Sequence, residues 1–210
     1  MLELNGVKNI IFDLGGVILN IDYHQTASAF KNIGVSNFDE IYSQGKQGQV
    51  FDKLETGEIT SEEFRYYINE IDPSLQFSAI DKAWNAMLLD LPVERIDLLK
   101  ELKKKYRLFL LSNTNEIHIK AFREIIGSSY GEYIFDNIFE NQYYSSEIGM
   151  RKPNADCFQY VLEKNGLEPS ETLFIDDSIQ HVEGARKLKL RGYHLTPDED
   201  ITTLFLGKAQ

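Results

Sequence analysis

The chain has 210 residues and carries 33 acidic against 22 basic side chains, which gives a net charge of −11. A chain of this size can form one hydrophobic core or a core with a small appended domain, and its acidic balance argues against nucleic acid or an anionic membrane as a partner. The single cysteine, Cys157, excludes an internal disulfide and a thiolate metal cluster, and without a signal-peptide pattern or about 18 consecutive apolar residues the chain is expected to be cytoplasmic.

The first predicted element is a buried strand over residues 8–14. Ile10, Ile11 and Phe12 form a continuous apolar run, which is typical of a strand covered on both faces in a parallel sheet. Asp13 and then a glycine pair follow this run. Because ligands bind at the carboxyl ends of the strands in such sheets, Asp13 is the first candidate site residue.

The next segment, residues 21–90, carries amphipathic helical patterns and no comparable β run. Thr60 and Glu63, for example, fit a capping box at the start of one helix. We therefore predict a small all-helical domain at residues 21–90, called the insert below. It follows the first strand and interrupts a core domain formed by residues 1–20 and 91–210.

Strand–helix alternation resumes after the insert and predicts further strands in the core. We expect them at residues 107–111, 137–140, 172–175 and 191–195. Pro153 suits a first helical position, and Ser178 suits the N-cap of a later helix. The series predicts an α/β fold with a Rossmann-like three-layer core and right-handed crossovers in a parallel sheet.

Asp176 and Asp177 follow the strand at 172–175 and should lie beside Asp13. Three converging carboxylates repel one another, so their pKa values would rise unless a cation offsets the charge. Their oxygen ligands suit Mg²⁺, and no histidine or cysteine spacing indicates zinc. The alternative is that each aspartate caps a turn or a helix.

Two further motifs offer groups for an anion. Ser112-Asn113 follows the strand at 107–111, where a hydroxyl and main-chain N–H groups could hold one phosphate oxygen; an N-cap is the alternative role. Arg151-Lys152-Pro153 places cations where we expect a helix N-terminus, which is an anion site. A solvated loop is the alternative there.

These motifs together resemble the haloacid dehalogenase-like (HAD) hydrolase superfamily. The four matching segments, in the family's order, are Phe12-Asp13-Leu14-Gly15-Gly16-Val17, Leu111-Ser112-Asn113, Gly149-Met150-Arg151-Lys152-Pro153 and Phe174-Ile175-Asp176-Asp177-Ser178. The resemblance covers the whole chain, and the insert is similar to the family's helical cap. Within the family, the chain resembles bacterial sugar phosphatases of the α-D-glucose-1-phosphate phosphatase type.

The resemblance implies a role for each phosphoryl-site residue. Asp13 would be the nucleophile and form a phosphoaspartate. Ser112 and Lys152 would bind the phosphoryl oxygens, and Lys152 would offset charge in the transition state. Asn113 would contribute its main-chain N–H group.

The resemblance also implies a Mg²⁺ site, with one departure from the family. Asp13, Asp177 and the carbonyl of Gly15 would ligate the ion, while Asp176 would act through a water or orient Lys152. Family phosphatases usually have an aspartate at the position of Gly15, and it protonates the leaving group. This chain would keep the carbonyl ligand and lose a proton transfer typically worth about 10²–10⁴-fold in rate.

The expected function is hydrolysis of a small phosphorylated metabolite by a Mg²⁺-dependent phosphatase. A sugar phosphate such as a hexose 1-phosphate is favoured, because its anomeric oxygen leaves more easily than an alkoxide. Two alternatives remain open: a metal-free dehalogenase and a non-catalytic phosphate-binding protein. Gly15 permits both, but the Asp176-Asp177 pair favours a metal and the complete set of site residues favours turnover.

Several finer assignments follow from position alone. Asp22 and His24 are candidates to replace the missing acid. Candidates for substrate selection in the insert are Gln44, Lys46, Gln47 and Arg65. The sequence does not distinguish a monomer from a homodimer.

Overall fold

A computed structural model describes residues 2–38 and 49–205 of the chain. Its strands are β1 (Asn9–Phe12), β2 (Arg107–Ser112), β3 (Asn141–Tyr144), β4 (Thr172–Asp176) and β5 (Arg191–His194). They form one five-stranded parallel sheet in the order β3-β2-β1-β4-β5. Phe12 of β1 is in register with Leu110 of β2 and Ile175 of β4. The three central strands therefore end side by side, as the sequence predicts.

The described helices surround this sheet and fill the segment between β1 and β2. They are α1 (Tyr23–Asn32), α2 (Gln49–Glu55), α3 (Ser61–Ile71), α4 (Phe77–Trp84), α5 (Val93–Lys103), α6 (Glu116–Tyr130), α7 (Ile134–Ile138), α8 (Ser145–Ile148), α9 (Ala155–Asn165), α10 (Ile179–Lys187) and α11 (Ile201–Phe205). No helix in the described ranges has the length and apolar composition needed to cross a membrane.

The sheet is covered on both faces because its central strands are apolar on both sides. Ile10 and Phe12 pack on one face in a cluster with residues of α5, α6 and α11. Ile11 points to the other face, where it joins Phe158 of α9 and Ala185 of α10. This arrangement confirms the predicted Rossmann-like three-layer core, and burial of both faces explains the unbroken apolar run of β1.

The described helices of the insert pack around a hydrophobic cluster of their own. Phe30, Phe51, Phe64 and Trp84 contribute large aromatic side chains to it, and Ile117 at the start of α6 joins it from the core. The predicted capping box is present at the start of α3, because Thr60 and Glu63 exchange side-chain and main-chain hydrogen bonds. The division into two domains at the predicted boundaries stays a prediction.

Two local expectations are wrong, and both concern short segments. The strand predicted at 137–140 lies later, at Asn141–Tyr144, because Phe135 and Ile138 are buried at helical spacing in α7. Pro153 is not a first helical residue. It lies in a turn closed by the Asn154 N–H group donating to the Arg151 carbonyl, and α9 begins at Ala155.

Candidate active site

Three carboxylates meet where β1 and β4 end. Asp13, Asp176 and Asp177 each offer an oxygen, and these oxygens all lie within 4.8 Å of one another. Asp13 and Asp176 are buried, whereas Asp177 is exposed. Burial raises the pKa of Asp13 to about 7; Lys152 opposes this shift, and the charges of Asp176 and Asp177 add to it.

Lys152 places a buried ammonium group between two of these carboxylates. Its Nζ atom lies 2.8 Å from Asp13 Oδ1 and 2.6 Å from Asp176 Oδ2. Burial by itself would lower the pKa of Lys152, but the two carboxylates raise it above its ordinary value. Lys152 is therefore cationic and is positioned to attract an anion to Asp13.

Asp176 is fully enclosed by hydrogen-bond donors. Its carboxylate accepts from Lys152 Nζ at 2.6 Å, from the Ser178 main-chain N–H group at 2.8 Å and from His181 Nδ1 at 3.0 Å. Burial raises its pKa, yet Lys152 and His181 outweigh burial and lower the value to about 2. These contacts suit a residue that orients Lys152.

Asn113, directly after β2, is hydrogen-bonded to the main chain of Lys152. Its Nδ2 atom donates to the Lys152 carbonyl, and its Oδ1 atom accepts from the Lys152 N–H group, both at 2.9 Å. Ser112, the last residue of β2, is buried next to it. The side chain of Asn113 thus has a positioning role that the sequence did not predict.

Apart from the fully buried Asp176, these residues line one cavity of about 560 Å³. Its wall includes Asp13, Gly15, Ser112, Asn113, Lys152 and Asp177 from the predicted set, and Glu55, His118, Arg151 and His181 in addition. Sequence reasoning missed Glu55, His118 and His181 as site residues. Only His181 could have been found from the sequence. It follows Asp176 by five residues and therefore falls in the first turn of the next helix.

Other predicted candidates lie away from this wall. Asp22 caps α1, where its carboxylate accepts from the His24 N–H group at 2.9 Å and from Gln25 Nε2 at 3.1 Å, and neither Asp22 nor His24 lines the cavity. Arg65 is also absent from the wall and pairs with Asp81 at 2.7 Å. Gln44, Lys46 and Gln47 lie outside the described residues.

The three carboxylates fit a divalent cation. Their donor atoms are all oxygens, as Mg²⁺ prefers. Burial, together with the neighbouring carboxylate charges, raises the pKa values of Asp13 and Asp177, and a cation would favour their charged forms. Gly16 supports this arrangement. It adopts φ +73°, and a β-carbon there would lie 2.2 Å from Asp177 Oδ2, so only glycine lets the loop approach that carboxylate.

Comparisons with known proteins agree with this geometry. A family model described as haloacid dehalogenase-like hydrolase matches residues 7–189. The D-ribitol-5-phosphate phosphatase of Bacteroides thetaiotaomicron is 30% identical over 183 residues, or 87% of this chain and 88% of that protein. The sesquiterpene phosphatase AstK of Aspergillus oryzae is 28% identical over 193 residues, or 90% of each chain.

Among solved structures, a wild-type HAD family enzyme from Bacteroides thetaiotaomicron is similar along nearly its whole length. It is 38% identical, with a TM-score of 0.86, and the match covers 95% of this chain and 99% of that one. That structure is a complex with magnesium and inorganic phosphate.

Proposed function

The chain belongs to the haloacid dehalogenase-like hydrolase family, and we propose that it is a Mg²⁺-dependent phosphatase of a small sugar or polyol phosphate. One observation carries this proposal: Lys152 Nζ lies 2.8 Å from Asp13 Oδ1 at the wall of a cavity of about 560 Å³. A nucleophilic oxygen and a phosphate-binding cation thus share one site. The two curated relatives are named as phosphatases, which supports the same reaction.

Asp13 is the proposed nucleophile. One of its carboxylate oxygens bonds to phosphorus while the bond from phosphorus to the substrate oxygen breaks, which gives a phosphoaspartate and an alkoxide that takes a proton from water to become the alcohol. Water then cleaves the phosphoaspartate and releases inorganic phosphate. Lys152 and Ser112 bind the phosphoryl oxygens during both steps, and Asn113 holds the main chain of Lys152.

Asp13, Asp177 and the Gly15 carbonyl are the proposed ligands of Mg²⁺, and Asp176 orients Lys152. When bound, the ion would offset the negative charges of the carboxylates and the phosphate. Burial and the neighbouring carboxylates raise the pKa of Asp13 to about 7, and a cation beside it would favour the charged form that acts as the nucleophile.

The identity of the substrate depends on how its leaving oxygen obtains a proton. With glycine at position 15, a hexose 1-phosphate has the advantage of an easier leaving group. The relative named for D-ribitol 5-phosphate favours a phosphate ester at a primary carbon. Both classes therefore belong in the first substrate panel.

Phosphate release from this panel tests the proposal, with Mg²⁺ and with a chelator. We expect release that requires Mg²⁺ and that falls by about 10³-fold or more in Asp13→Asn, because the nucleophile is lost. Asp97→Asn, an exposed change on α5, is the control.

Release that persists in chelator would contradict the metal assignment, and halide release from a 2-haloacid without any phosphate release would establish a dehalogenase instead. Phosphate binding without turnover would indicate a non-catalytic protein.

A further inference from the structure

The insert contributes one charged side chain to the described wall of the cavity. Glu55, at the C-terminal end of α2, lies there among Tyr23, Trp84 and Met87. Glu55 is not part of any motif that carries the family resemblance. Its place in the wall of the same cavity as the phosphoryl-binding residues makes it a group that can meet the organic part of a substrate.

The carboxylate of Glu55 is restrained by an ion pair with Arg151. Its Oε2 atom lies 2.9 Å from an Nη2 atom of Arg151, and this oxygen is buried without a hydrogen bond. The chain after α2 is also fixed, because a β-carbon on Gly57 would lie 2.3 Å from the Ser146 carbonyl oxygen. The side chain nevertheless keeps 16% of its surface exposed, so part of it faces the cavity.

We propose that Glu55 is a specificity-determining residue, which accepts hydrogen bonds from hydroxyl groups on the carbon chain of the substrate. The proposal rests on the proposed phosphatase function and names the part of the substrate that the insert recognises. A carboxylate has acceptors and no donors, and hydroxyl groups are the donors that a polyol phosphate offers. A substrate without them would displace water from the exposed part of the carboxylate and supply no hydrogen bond in return, which is a basis for discrimination.

Two substrates with the same leaving group test this inference. D-ribitol 5-phosphate and n-pentyl phosphate are both five-carbon primary phosphate esters, and only the first carries hydroxyl groups. In Glu55→Gln we expect kcat/KM for D-ribitol 5-phosphate to fall by about 10-fold, mainly through KM, because a charged acceptor is lost. The value for n-pentyl phosphate should change by less than about twofold, since no hydroxyl contact is removed.

Asp52→Asn is the matched control. Asp52 forms an ion pair with the same Arg151 but does not line the cavity. An equal loss of ribitol phosphate activity in this variant would assign the effect to Arg151 and overturn the role of Glu55. Circular dichroism of both variants checks that the fold is intact.

The remaining outcomes separate this inference from the proposed function. Equal losses of kcat on both esters would make Glu55 a proton donor or a structural residue and overturn the specificity role. No change on either ester would also overturn it. If the unmodified protein releases phosphate from n-pentyl phosphate but not from D-ribitol 5-phosphate, this inference fails and the proposed phosphatase function stands. If it releases phosphate from no ester, including p-nitrophenyl phosphate, the proposed phosphatase function fails.

Discussion

The Cδ1 atom of Ile21 lies 3.0 Å from the position that a β-carbon on Gly15 would occupy. The space beside Gly15 is therefore filled by the side chain of the first residue of the insert. An aspartate at position 15 would need Ile21 to move by a few tenths of an ångström. Ile21 therefore occupies space that an acidic side chain at position 15 would need.

This contact predicts how an acid could be restored. Gly15→Asp alone should raise kcat on D-ribitol 5-phosphate less than Gly15→Asp combined with Ile21→Val, because valine lacks the Cδ1 atom. We expect the double variant to gain about 10-fold or more, the lower end of a typical proton-transfer effect. Ile21→Val alone is the reference for both. Equal gains in the single and double variants would show that Ile21 does not restrict position 15.

A side chain at Gly16 should disturb the metal site. Gly16→Ala places its β-carbon 2.2 Å from Asp177 Oδ2, so the carboxylate must move. We expect the Mg²⁺ concentration for half-maximal activity to rise by about 10-fold or more, as altered ligand placement commonly does. Isothermal titration calorimetry with Mg²⁺ provides a second measurement.

Gly166→Ala separates this effect from backbone strain. Gly166 also has a positive φ, +60°, and a β-carbon there meets no atom within 4 Å. Both variants should lose about 1 kcal/mol of unfolding free energy, but only Gly16→Ala should alter the Mg²⁺ requirement. A shift of similar size in both would contradict the role given to Asp177.

Removal of the Asn113 side chain should loosen Lys152. Asn113→Ala deletes two hydrogen bonds of 2.9 Å to the Lys152 main chain. We expect the unfolding free energy to fall by about 1–3 kcal/mol and kcat to fall by about 10-fold or more, because the ammonium group is no longer held in place.

Asn141→Ala provides the comparison for this variant. Asn141 also donates a side-chain hydrogen bond, to Asn165 Oδ1 at 2.8 Å, but on the surface. Its loss should leave kcat within about twofold of the unmodified enzyme. A stability loss in Asn113→Ala with an unchanged kcat would show that the two hydrogen bonds are structural alone.

Buried His118 predicts a loss of stability in acid. Burial lowers its pKa from 6.5 to about 4. Its ring stacks on Trp84, its Nε2 atom lies 3.1 Å from the Trp84 carbonyl oxygen, and its Nδ1 atom lies 3.1 Å from Asn115 Nδ2. Protonation would set a second donor against the Asn115 amide. The folded state therefore favours the neutral ring.

The direction of this pH effect on the unfolding free energy follows from proton binding. Between pH 6.5 and 4 the unfolded chain binds a proton at His118 that the folded chain does not, so the unfolding free energy falls as the pH falls through this window. The contribution is about 3 kcal/mol in total. Chemical denaturation at several pH values should show a shallower decline in His118→Gln than in the unmodified protein. Parallel curves would contradict the assignment.

The parallel α/β fold and the location of the site could be predicted from the sequence. Ile10-Ile11-Phe12 and Leu173-Phe174-Ile175 are apolar throughout, and such runs are buried wherever they occur. Parallel strands end at one edge of a sheet, so the polar residues that follow these runs had to converge. Local patterns were less reliable in short elements, and the strand predicted at 137–140 was wrong for this reason.

The chain's own sequence determined the central parallel sheet and the meeting of Asp13, Ser112 and Asp176, because hydrophobic pattern and strand direction are local properties. Only the tertiary structure decided which side chains contact and position the residues of this site. Asn113 contacts Lys152 across 39 residues, and Glu55 pairs with Arg151 between the insert and the core. Such contacts depend on how separate elements pack, and no local pattern encodes them.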